Sequence, residues 1–218
     1  MSSLNQTIPC APAAAASREA FIELEFHAGR DFRTGQTEVP LVNAAEVVAF
    51  WRQAGPSLWF AKDADFDRRF RERFLDAHGA ATHGALDGWL ATPEGALALL
   101  LLLDQFPRNA FRGTTRMYAT DAAARRIATA AVDAGLDRHM PRELRVFFYL
   151  PLAHSEDPAD QERCAMLCAP LGPPDSVHSE RHRDIVKRFG RFPHRNAVLG
   201  RKTTPEEQQF LDSGGFAG

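Results

Sequence analysis

Eight consecutive apolar residues, Ala96 to Leu103, constrain the fold more than any other feature of this 218-residue chain. Coiled at 3.6 residues per turn, they put hydrocarbon on every side, so such a helix has to be surrounded by others. Thr92 followed by Pro93 is the start signal for it. A threonine hydroxyl accepts from the first free backbone N–H groups, and proline at the first helical position has no N–H to leave unpaired. The run falls far short of the roughly 20 residues that cross a membrane, so it belongs in a soluble core, with no membrane partner expected.

Its surroundings read as helices too. Ala44–Ala54 gives a short one, stopped by Gly55-Pro56. Asp63 caps the next, where Phe66, Phe70 and Phe74 recur every four residues along one face. His83–Leu90, Asp121–Ala134, Arg142–His154, Ala159–Ala169 and Ser176–Phe189 follow, and Thr204-Pro205 opens a last one. Strict alternation is confined to Ile22, Leu24 and Phe26, a weak strand signal inside a segment rich in Ala, Gly, Pro and Thr. The expectation is an all-α domain over residues 43–218, an antiparallel helix-pair array of about nine helices. Residues 1–42 are expected to form a poorly ordered extension.

Composition excludes collagen-like, disordered and disulfide-scaffold classes: 44 % of residues are apolar, 25 % are charged, and the net charge is −2. The charge is unevenly placed, however. Arg181 to Lys202 holds eight basic residues against Asp184, a net +7 that leaves −9 on the rest of the chain. A single basic loop in an otherwise acidic chain argues against a nucleic-acid partner. Arginine outnumbers lysine 23 to 3, either a genome bias or a means of gripping planar anions with paired hydrogen bonds. Cys164 and Cys168, four apart on a helix, do not match a zinc pair and read, with Cys10, as reduced cysteines of a cytoplasmic protein. No signal peptide is visible.

Three clusters carry the candidate chemistry. Asp104 follows the apolar helix and needs a cationic partner, with Arg108, Arg112 or Arg195 available; Gln105 and Asn109 lie beside it. The cluster is either a structural ion pair or an anion-binding corner. Tyr149-Leu150-Pro151 precedes His154-Ser155-Glu156, where Pro151 should kink or end the helix. His154 and Glu156 could then act as proton donor and acceptor, or as two metal ligands, unless Ser155 or Asp157 merely caps the next helix. The third cluster is Arg188-Phe189-Gly190-Arg191-Phe192-Pro193-His194-Arg195-Asn196, with aromatic anchors that present Arg191, His194, Arg195 and Asn196 around a fixed turn. It echoes Phe106-Pro107-Arg108-Asn109 at an offset of 87 residues, as similar corners of a repetitive helix array would. His178 and His182 share a helix face, but without an HExxH pattern or a close Cys pair no metal site is expected. Glycine-rich phosphate loops are absent, and no cofactor is expected.

These stretches, together with Leu103 through Asn109, Phe111 through Thr114 and Leu199-Gly200-Arg201, resemble a bacterial family catalogued as domain of unknown function 924. The resemblance runs over residues 44 to 216 and is also carried by Phe50-Trp51, Trp59-Phe60, Trp89 and Asp160-Gln161. It implies a tetratricopeptide-type helical fold and brings no activity with it.

Taken together, the sequence points to a cytoplasmic helical protein with a pocket for a small carboxylate or phosphate. Asp104, Arg108, Asn109, Arg112, Tyr149, Arg191, Arg195 and Asn196 are the candidate ligand residues, and His154, Glu156 and His194 the candidate acid–base groups. The alternative is a tetratricopeptide-like scaffold that binds a protein or peptide in its groove.

Overall fold

A computed structural model describes residues 42–216, helices joined by turns and short irregular stretches, with no strand among them. The extension and the strand signal at Ile22–Phe26 lie outside the described residues, as does Cys10. The helices are α1 (Ala44–Ala54), α2 (Pro56–Trp59), α3 (Ala64–Thr82), α4 (Pro93–Leu100), α5 (Phe106–Ala110), α6 (Asp121–Asp133), α7 (Arg142–Ala153), α8 (Pro158–Cys168), α9 (Asp175–Phe189) and α10 (Pro205–Asp212). A π turn, Leu101–Gln105, joins α4 to α5, so the ten segments make nine rods among the described residues.

The apolar run is indeed enclosed. Every residue from Ala96 to Leu103 is buried, with α1, α6 and α7 packed against α4. Phe66, Phe70 and Phe74 of α3 pack with Trp51, Phe106 and Phe147 into an aromatic core. Gly95 sits where the start of α4 meets the preceding turn; a Cβ there would lie 2.1 Å from the Trp89 carbonyl, so only glycine fits. A second, smaller cluster of Ile185, Val186 and Phe192 lies under the basic segment.

Three local expectations are corrected. The stretch His83–Leu90 is not an α-helix. Gly84, at φ +76°, ends α3 by donating to Ala81 while Ala85 donates to Ala80, and a 3-10 turn, Asp87–Ala91, follows. Asp104 does not end the apolar helix either. Pro107 has no N–H for the Leu103 carbonyl, yet the rod continues because the π turn widens the ladder just before it. The loosened carbonyls find side chains: Leu102 pairs with Nδ1 of His78 at 2.9 Å, and Leu103 accepts from the Thr120 hydroxyl at 2.6 Å. Pro151 is carried inside the last turn of α7, which runs to Ala153, with His154 as its C-cap.

Candidate active site

The π turn aims Asp104 inward, where its side chain is 1 % exposed. Its Oδ1 receives Nδ1 of His154 at 2.7 Å and NH1 of Arg108 at 3.1 Å, and its Oδ2 receives the Gln105 amide at 2.6 Å. Burial alone would raise its pKa, but Arg108, His154 and Gln105 outweigh burial and hold the carboxyl at about 2. An ionised carboxylate only accepts, so His154 carries its hydrogen on Nδ1. Its Nε2 has no hydrogen-bond partner among the described residues. Burial, then the charge of Arg108, lowers the pKa of His154 against the opposing pull of Asp104, which keeps the ring neutral.

His154 opens onto a cavity of about 390 Å³. Val146, Leu150 and Ala153 line it from one face of α7, His178 and His182 from α9, Cys164 and Cys168 from α8. Trp59 and Phe60, at the end of α2, face it as well. Gln105, Arg108, Asn109 and Arg112 reach it from the π turn and beyond, and His194 and Arg195 from the loop after α9.

The two arginines of the repeated corner meet here. Both lie near the Tyr118 ring, Arg108 at 6.0 Å and Arg195 at 4.9 Å, and both face Asp121. Arg108 is firmly held: it makes a bidentate pair with Asp121 at 2.9 and 3.2 Å and also donates to the Asp104 carbonyl. Arg195 is not. Its side chain is 8 % exposed and rests over the Phe192 ring at 4.5 Å, yet it makes no side-chain hydrogen bond among the described residues. Its closest acid oxygen, on Asp121, is 3.8 Å away, and its Nε is sealed and unpartnered. Burial and the neighbouring Arg108 both lower its pKa, so the site carries an under-compensated cation.

Histidines complete this wall. Burial, reinforced by Arg195 and the other rings, depresses His182 to about 4 and His194 to about 3. Their rings pack against Phe216 at 4.6 and 5.1 Å.

Glu156, Arg191, Asn196 and Tyr149 do not line the cavity. Glu156 does not pair with His154; its carboxylate is taken by two bonds from Arg201 and one from the Phe192 N–H, fixing the loop that carries Arg195. Arg191 makes a bidentate pair with Glu207, which also receives the Asn196 amide. The Tyr149 hydroxyl donates to Asp137 inside the core. Arg112 lines the cavity but is spent on Asp67, Asn109 and the Ala61 carbonyl. Part of the basic segment is thus paired within the fold: Arg188 with Glu206, Arg191 with Glu207, Arg201 with Glu156. Among the described residues, no group of three or more His, Cys, Asp or Glu side chains is placed to hold a metal. No helix there is long and apolar enough to cross a membrane. Tyr118, Asp121 and the apolar wall from α2 and α7 were not singled out from the sequence. Asp121 lies 13 residues from its partner Arg108, and no local pattern marks such a pair.

Comparison with known proteins adds the following. The family model described as a bacterial protein of unknown function, DUF924, matches residues 47–215. The solved structure of the protein of unknown function ATU0120 from Agrobacterium tumefaciens is similar, with 58 % identity and a TM-score of 0.77. The alignment covers 78 % of this chain and 97 % of that one. No curated protein matches the chain.

Proposed function

The chain belongs to the DUF924 family of bacterial proteins, and we propose that it binds a small anion, a carboxylate or phosphate, in the cavity beside Asp104 and His154. One observation carries this reading. Arg195 is a nearly buried guanidinium that lines the cavity and makes no side-chain hydrogen bond among the described residues. A buried cation is costly unless something neutralises it, and arginine is suited to a planar anion. Arg108, held by two aspartates, adds positive potential from the same wall. His154, fixed in one tautomer by Asp104, would present Nε2 to the ligand as the acid–base group of an enzyme.

The test is thermal unfolding of the full chain in acetate, propionate or inorganic phosphate against chloride at equal ionic strength. Stabilisation by several degrees with an oxyanion, absent from Arg195→Ala, supports the reading. Identical midpoints in every salt overturn it.

Exposed apolar side chains favour a second reading. Phe60, Met166 and Val177 are 60, 68 and 53 % exposed, as on a tetratricopeptide-like scaffold that docks a peptide. That reading expects no response to small anions, so the same panel separates the two. The free Cys164 and Cys168 thiols support a reducing, cytoplasmic setting for either.

A further inference from the structure

We infer that the natural ligand is a monocarboxylate with an extended apolar body, its carboxylate on Arg195 and its hydrocarbon along the α7 wall toward Trp59 and Phe60. The inference rests on the anion reading above and names the ligand class for that site.

Hydrogen-bonding capacity limits the head group. Arg108 and Arg112 are each held by an aspartate and a carbonyl, and Arg181 is exposed, which leaves Arg195 as the buried guanidinium on this wall without a side-chain hydrogen bond among the described residues. Its plane is held over the Tyr118 and Phe192 rings, so the donors at its edge are what a ligand can use. One such edge matches the two oxygens of one carboxylate. A phosphate would bring a third oxygen and a second charge, which one planar edge does not match.

Charge points the same way. The arginines on the wall are Arg108, Arg112, Arg181 and Arg195. Four aspartates on or behind it offset them: Asp67, Asp104, Asp121 and Asp175. Arginines against aspartates leave the site without formal excess charge, so a monoanion needs one compensating proton and a dianion two.

The rest of the cavity is hydrocarbon. Val146, Leu150 and Ala153 form a stripe on α7 that ends one residue before His154. Trp59 and Phe60 continue it, in contact with the Phe147 ring. A volume of about 390 Å³ far exceeds what acetate fills, and covering an apolar wall with hydrocarbon favours binding.

Binding of acetate, butyrate, octanoate, n-octanol and octyl phosphate to the full chain by calorimetry at pH 8 tests this. Each methylene buried should tighten binding about fourfold, so octanoate should bind on the order of 200-fold more tightly than butyrate. Octanol and octyl phosphate should both bind at least about tenfold more weakly than octanoate, a difference of one decade. Phe60→Ser, at an exposed position, and Leu150→Asn should flatten the chain-length dependence and leave acetate binding in place. Arg195-dependent acetate or phosphate binding with no gain from chain length would overturn the ligand class and leave the anion reading standing. Tighter binding of octyl phosphate would overturn the carboxylate assignment. If none of the anions binds, both readings fall.

Discussion

Nδ1 of His154 donates to Oδ1 of Asp104 across 2.7 Å, tying the C-terminus of α7 to the π turn of the central rod. The contact spans 50 residues of sequence and joins the most buried acid among the described residues to a cavity-facing base. Asp104→Asn keeps the shape and an acceptor for His154 but removes the charge that faces Arg108. Asp121 still neutralises Arg108, so the loss sits at the low end for a broken buried pair, about 3 kcal/mol. Urea unfolding of the two proteins at pH 7 checks it; equal midpoints would show that Asp104 is not ionised.

The π turn gives a second prediction. Thr120 satisfies the Leu103 carbonyl that Pro107 cannot, and both partners are buried. Thr120→Val preserves volume and leaves that carbonyl unpaired, at a cost of about 1–3 kcal/mol. A melting temperature unchanged from the parent would mean that the carbonyl has another partner.

These two features mark what could be read from the sequence. The all-helical class followed from Leu97–Leu103 and from the Phe66, Phe70, Phe74 stripe, because burial and helical period act locally. Asp104's need for a cation followed from its place beside hydrocarbon. The π turn was not legible: Pro107 is an ordinary stop signal, and only the distant His78 and Thr120 side chains make continuation affordable in free energy. Glu156 illustrates the same limit at the site. Adjacency suggested a proton relay with His154, whereas the chain turns Glu156 away toward Arg201, 45 residues later.

Glu156 should therefore act as a positioning residue. Glu156→Gln removes the charge that holds Arg201 and weakens the bond from Phe192, loosening the loop before Arg195. We expect a loss of roughly 1.5–3 kcal/mol in stability, the range for hydrogen bonds to charged groups, together with weaker anion binding. The His154 titration, followed by NMR, should not move. A shifted His154 would sink this assignment and restore the pairing expected from adjacency.

Stability should fall in acid well before the carboxylates titrate. His182 and His194 have folded-state values of about 4 and 3, below the ordinary 6.5 of an unfolded histidine. Between those limits the unfolded chain binds more protons, so stability is complete above pH 6.5 and is lost as the pH falls toward 3. The slope is up to about 1.4 kcal/mol per pH unit for each histidine. Asp104, held at about 2, adds its own loss as the pH drops below about 3.8. Urea midpoints at pH 7, 5.5 and 4.5 measure the slope, and His194→Gln should make it shallower.

The last prediction concerns the coupling of ligand to proton. His154 is faced by Asp104 from the π turn, Arg108 from α5, Asp121 from α6, and, through the adjoining wall, by His182 and Arg195. Burial and Arg108 lower its pKa in the free protein. A carboxylate seated on Arg195 cancels positive charge beside the ring, which raises that pKa. A higher value in the complex than in the free protein means that binding takes up a proton, so affinity must rise as the pH falls through the bound-state value. The limit is one proton per octanoate and a tenfold change in Kd per pH unit. Calorimetry at pH 7 in two buffers of different ionisation enthalpy counts the protons directly. His154→Gln should still bind octanoate with that uptake abolished; uptake that survives the substitution would assign the proton to His182 or His194 and remove His154 from the linkage.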